Sequence, residues 1–136
     1  MKTIVVRNLM IVLGIYWFSM WVVLPIALIC AKITDGIIYS GTVGAFVMHV
    51  VSAIPVAIVS LGGGILCIYI LAESSHKYWL LLLAVLYAIT RFTAFHYARA
   101  PELTDRIFQL VESIIPAITC YVGGTVAIKT RKTKSN

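Results

Sequence analysis

Four apolar runs, at Leu9–Ala31, Phe46–Ala72, Tyr78–Ala98 and Ile107–Ile128, leave this chain few ways to fold. Each meets or exceeds the roughly 20 residues an α-helix needs to cross the hydrocarbon core of a bilayer. A soluble domain of 136 residues has too little interior to hide them, because 61% of the residues are hydrophobic and only 12% are charged. The sequence therefore predicts an all-α integral membrane protein, a four-transmembrane-helix bundle that occupies residues 1–136 as a single membrane domain. What the runs leave over is a short leading tail, three connections and a basic tail at 129–136. Function is expected within the membrane or at its surfaces.

Lys2 and Arg7 precede the first run much as they would in a cleavable leader. The run is longer than a leader's apolar region, and Ala27-Leu28-Ile29-Cys30-Ala31 offers no small-residue cleavage site, so it is read as a retained anchor. Orientation follows from the lysines and arginines, which collect on cytoplasmic flanks. Lys2, Arg7, Lys77, Lys129, Arg131, Lys132 and Lys134 fall on one side of a four-span arrangement, and Lys32, Arg99 and Arg106 on the other. Both termini are thus expected to be cytoplasmic, in the cytoplasmic (inner) membrane of a bacterium. The formal net charge of +6 does not point to nucleic acid, because much of it is concentrated directly after the last run. There it suits anionic lipid headgroups and a stop-transfer flank.

Small residues mark the helix contacts. Ala53, Ala57, Ser60 and Gly64 recur at helical spacing on the second span, the small-xxx-small pattern that lets membrane helices approach closely. Ala84 and Ala88 on the third, and Gly123 and Ala127 on the fourth, offer similar surfaces. Pro55 is expected to kink the second helix, and Gly62-Gly63-Gly64 to give either a second weak point or a smooth surface for close packing. The stretch from Asp35 to Gly44, rich in turn-forming residues, reads as an external connection.

Two full charges, Arg91 and Glu112, lie inside the apolar runs, where charges are rare and are paired or functional. The connection Arg99–Arg106 is short, so the third and fourth spans are expected to pack antiparallel. Counting the helical rise inward from Ala98 and from Ile107 puts both charges roughly 8 to 11 Å below the external boundary. Matching depth on neighbouring helices predicts an ion pair, since an unpaired charge there costs about 2.5 to 3.5 kcal/mol. The competing reading for Arg91 is a side chain that snorkels to lipid phosphates. Gln109, one turn nearer the surface, joins the same polar face as Asp105, Glu112, Pro116, Thr119 and Gly123. His49 and His96 fall in the same outer layer, which makes Arg91, Glu112, Gln109, His96 and His49 the candidate polar site. As interfacial residues the two histidines have a simpler role, as amphipathic rings at headgroup level.

Tyr16, Trp17, Phe18 and Trp21 sit near mid-depth in the first span, where they can face lipid, other helices or another protein. Cys30, Cys67 and Cys120 occur singly in three spans and read as small apolar residues, not as a disulfide or metal set. No nucleophile–histidine–acid arrangement, phosphate-binding glycine loop or zinc spacing is present, so the sequence predicts neither an enzyme nor a cofactor or metal site. Length and span number resemble those of small multidrug transporters. That family's defining acid lies in its first span, and Leu9–Ala31 contains no acidic side chain, so the likeness is one of size. The expected function is a subunit or modulator of a membrane assembly, acting by helix association with another membrane protein or with itself. A small oligomeric transporter or flippase with an outer polar site is the alternative, and a holin-like pore the third.

Overall fold

The computed structural model describes residues 2–34, 41–71, 76–97 and 103–134 of the chain. They form four helices, α1 (Lys2–Thr34), α2 (Gly41–Ile70), α3 (His76–Tyr97) and α4 (Leu103–Lys134), with no strand among the described residues. Three of these are long and apolar enough to cross a membrane, over Thr3–Cys30, Val50–Ile70 and Leu110–Arg131. The chain is therefore all-helical and has the character of a membrane protein.

Helix ends run past the apolar runs. Gly41–Gly44, expected in a connection, forms the first turn of α2. A glycine is tolerated at a helix start, and Val43, Ala45 and Phe46 continue the apolar pattern behind it. The basic segment 129–134 continues α4 as helix. Asp35–Ser40, the connection at Glu73–Ser75 and the proposed helix start at Pro101 and Glu102 lie outside the described residues. α2 continues through Pro55, and α4 through Pro116.

α2 and α3 each touch all three other helices, whereas α1 and α4 do not meet among the described residues. α3 lies antiparallel to α4, since Arg91 pairs with Glu112 near one end and Leu80 meets Gly124 towards the other. α2 lies parallel to α4, because its partners there keep nearly constant separation in sequence: Ser52 with Glu112, Ser60 with Thr119, Ile68 with Arg131. We call the end where α2 and α4 begin the distal end and the opposite one the terminal end.

The α2–α4 seam brings two helix backbones into direct contact. A methyl group on Gly64 would collide with the backbone carbonyl of Cys120, and one on Gly123 with the carbonyl of Leu61. The two contacts are reciprocal, and on their distal side the hydroxyls of Ser60 and Thr119 bond at 2.5 Å. Ser60-x-x-x-Gly64 and Thr119-x-x-x-Gly123 thus form a near-symmetric small-xxx-small crossing in which each glycine accepts the other helix's backbone. At the terminal end the Arg131 guanidinium donates to the Ile68 carbonyl at 3.4 Å, in the last turn of α2, where a cation suits the helix dipole.

α3 contributes Leu80, Leu83, Ala84 and Tyr87 to the core, and Cys67 and Cys120 are both fully buried within it as small apolar side chains. Tyr87 Oη donates to Ser19 Oγ at 2.5 Å, and the room for that hydroxyl exists because residue 63 is glycine. α1 joins by one narrow stripe, Asn8, Val12, Ile15 and Ser19, spaced four, three and four residues apart.

Candidate functional site

Three helices each place one polar side chain at the distal half of the seam: Ser52 from α2, Arg91 from α3 and Glu112 from α4. The antiparallel packing of α3 on α4 brings Arg91 Nη2 to 3.1 Å from Glu112 Oε2. The same Nη2 donates to Ser52 Oγ at 3.1 Å, and that hydroxyl donates in turn to Glu112 Oε1 at 3.4 Å. Each group thus bonds to the other two in a closed triangle. Burial is uneven, with the Glu112 side chain 5% exposed, that of Arg91 19% exposed, and Ser52 at the surface of the helices. A carboxylate so enclosed needs a cationic, hydrogen-bonding partner, and the guanidinium supplies both the charge and the donor.

A layer of hydroxyls lies on the terminal side of this triangle. Tyr16 Oη and Thr90 Oγ1 are hydrogen-bonded, and Thr90 also donates to the Leu86 carbonyl at 2.8 Å. The rings of Tyr16 and Tyr87 pack tilted with centroids 5.7 Å apart. Ser19 passes the bond from Tyr87 to the Ile15 carbonyl at 2.7 Å, so these hydroxyls are satisfied inside the bundle by helix backbone. Asn8, nearly fully buried near the start of α1, differs, since its Oδ1 has no hydrogen-bond partner among the described residues.

Of the residues singled out from sequence, the structure brings Arg91 and Glu112 together. His49 and Gln109 stand three residues before Ser52 and Glu112, one turn towards the distal end on the same stripes of α2 and α4. His96 stands five residues beyond Arg91 and so falls well round the helix from it. The side chains of His49, His96 and Gln109 lie outside the described residues. No grouping of metal-ligating residues occurs among the described residues.

Sequence reading missed Ser52, although a signal for it exists. Ser52-Ala53-Ile54-Pro55 and Ser113-Ile114-Ile115-Pro116 share the pattern S-x-I-P, and in both helices six residues separate the proline from a Gly-Gly pair, Gly62-Gly63 and Gly123-Gly124. The repeat aligns α2 with α4 in the parallel register the structure adopts, and puts Ser52 beside the Glu112–Ser113 step.

The aromatic cluster of α1 divides. Tyr16 turns inward to α3, while Trp17, Phe18 and Trp21 are each more than 60% exposed, the two indole rings 6.5 Å apart on the outer face. Leu24 and Leu28 extend the same ridge. A shallow apolar groove of about 350 Å³ runs between α3 and α4 on another face, floored by Ala84, Ala88 and Ala117.

No family model, curated protein or solved structure matches the chain.

Proposed function

We propose that this chain is a four-span protein of a bacterial cytoplasmic membrane that works by helix association, as a subunit or modulator of a larger membrane assembly. α3 is then the fourth span, and the lysines and arginines at the terminal end put both termini in the cytoplasm. The observation that carries the reading is the state of α1. Only 17% of its spanning window is buried, against 44% in α2 and 39% in α4. Beyond Ser19 no described α1 side chain is fully buried, and the exposed residues form a ridge of large, rigid aromatics. Tryptophan and phenylalanine bring a large contact area for little rotamer entropy, which suits them to protein contacts.

The triangle supports the same assignment from the other side. Arg91, Glu112 and Ser52 bond to one another, as expected of a staple that holds α2, α3 and α4 in place. Purification of the full chain in mild detergent tests the proposal. A defined oligomer or a stoichiometric membrane partner is expected, and combined Trp17→Ala and Trp21→Ala should release it while the amount of protein in the membrane holds. Recovery of a monomer alone overturns it.

One observation favours a transporter or flippase as second reading: Ser52 is exposed and Arg91 keeps partial access, so the triangle reaches the helix surface. Solute or lipid flux in reconstituted vesicles, lost in Glu112→Gln at unchanged protein level, would establish that reading.

A further inference from the structure

We propose that the distal halves of α2 and α4 are hinged arms, pivoting at Pro55 and Pro116 and held closed by the Ser52–Arg91–Glu112 triangle. The inference does not rest on the association reading. It comes from three features that coincide in depth.

The first is the pair of prolines. Each lies inside its helix and is fully buried, at the same place in the S-x-I-P-x6-G-G repeat. Because α2 and α4 run parallel in that register, the two prolines lie at one level of the bundle. Proline lacks the donor that would close the helical turn, so the carbonyls of Val51 and Glu112 lose their i+4 partners. Missing ladder bonds at one level in two adjacent helices make that level the place where both bend most easily.

The second is the asymmetry on either side. Towards the terminal end the helices are fixed by backbone contact, Gly64 against Cys120 and Gly123 against Leu61, with the Ser60–Thr119 bond just before them. Movement there would separate surfaces packed too closely for any side chain. Towards the distal end the described tie between the same two helices is the side-chain triangle, and the described residues Val50 and Ile54 on α2, and Leu110, Val111 and Ile114 on α4, are exposed.

The third is the tie. Ser52 lies three residues before Pro55 and Glu112 four before Pro116, so each arm carries one member of the triangle within a turn of its hinge. Arg91 comes from α3, which has no proline among its described residues and serves as the fixed post. An ion pair suits a latch because its two states are close in energy: opening breaks the bonds but returns both charges to a more polar environment. A glycine seam has no such second state. Opening would uncover Arg91 and Glu112 in a cleft between the arms, the kind of hinge closure seen in ligand-gated folds.

Distance measurement in vesicles tests this with the full chain. Spin labels carried on noncanonical amino acids at positions 47 and 107 report on the arms, and a second pair at 66 and 126 reports on the glycine seam, with the native cysteines kept. The labelled arm positions lie about 12 to 14 Å beyond their prolines, so a swing of about 15° apart in each arm widens the first distance by roughly 7 Å. Glu112→Gln should produce that widening and leave the 66–126 distance unchanged. Ser52→Ala should move it in the same direction by less. Adding Pro55→Ala and Pro116→Ala to Glu112→Gln should restore the narrow distribution. An unchanged arm distance in Glu112→Gln, an equal change at 66–126, or a widening indifferent to the prolines would each overturn the proposal.

Discussion

Removing one member of the Arg91–Glu112 pair should cost far more than removing both. At 3.1 Å the gross attraction of the two charges is about 5 kcal/mol for an effective dielectric near 20. Much of that is offset by desolvation, so the pair as a whole adds little net stability over apolar residues of the same shape. Breaking it is another matter. Arg91→Met takes the guanidinium from the Glu112 carboxylate, which is 5% exposed and whose bond to Ser52 is long. Removal of one partner from a buried pair costs about 3 to 5 kcal/mol. The partial exposure of Arg91, 19%, puts this pair at the lower end, about 3 kcal/mol for Arg91→Met. Glu112→Leu should cost slightly less, about 2 kcal/mol, because the abandoned arginine can reach towards headgroups. The double variant should return to within about 1 kcal/mol of the native protein, giving a coupling energy of about 4 kcal/mol. Reversible unfolding of the full chain in mixed micelles, titrated with denaturing detergent, measures all four corners of the cycle. If the two losses simply add, the pair is not a staple and the geometric reasoning behind it is wrong.

The glycine seam yields a sharper contrast. Gly64→Ala should destabilise by about 2 to 3 kcal/mol, as overpacking against backbone that has nowhere to go, while Gly62→Ala, whose methyl meets nothing within 4 Å, should be neutral or slightly stabilising in the same assay. Tyr87→Phe removes the donor to Ser19 and should cost about 1 kcal/mol, and Gly63→Ala, which takes the space of that hydroxyl, should cost more. Asn8→Leu replaces a buried side chain whose Oδ1 has no partner among the described residues, so it should raise stability by about 1 kcal/mol. A loss of that size would mean Asn8 holds a group in the membrane.

The all-helical, membrane-type character of the chain was legible in its apolar runs because a bilayer leaves the backbone so few alternatives. The pairing of Arg91 with Glu112 was within reach for a related reason: a short connection fixes two helices as antiparallel neighbours, and the helical rise then converts sequence distance into depth. Contacts between helices not adjacent in the chain lack that constraint. The α2–α4 seam is the main example, since no loop length implies it, and only the S-x-I-P-x6-G-G repeat hints that the two helices align in parallel. Ser52 escaped notice for the same cause, since a serine in an apolar helix commonly bonds its own backbone, as Ser113 does to Leu110 at 2.7 Å. The split of the α1 aromatics follows from the stripe Asn8–Val12–Ile15–Ser19, which turns Tyr16 towards α3 and Trp17, Phe18 and Trp21 away. Asn8 itself read as part of a leading tail, because the helix starts at Lys2, well before the apolar run.

The claim that α1 is the surface through which this protein works is tested most directly by site-specific photocrosslinking in living membranes. A photoreactive residue is introduced in turn at positions 17, 21, 24 and 28 on the ridge, and at 58, 66, 85 and 126 on exposed faces of the other helices. Discrete protein adducts are expected from the four ridge positions, at helical spacing and at one apparent mass, with none from the other faces. Adducts to lipid alone along α1, or protein adducts equally from every face, would contradict the account.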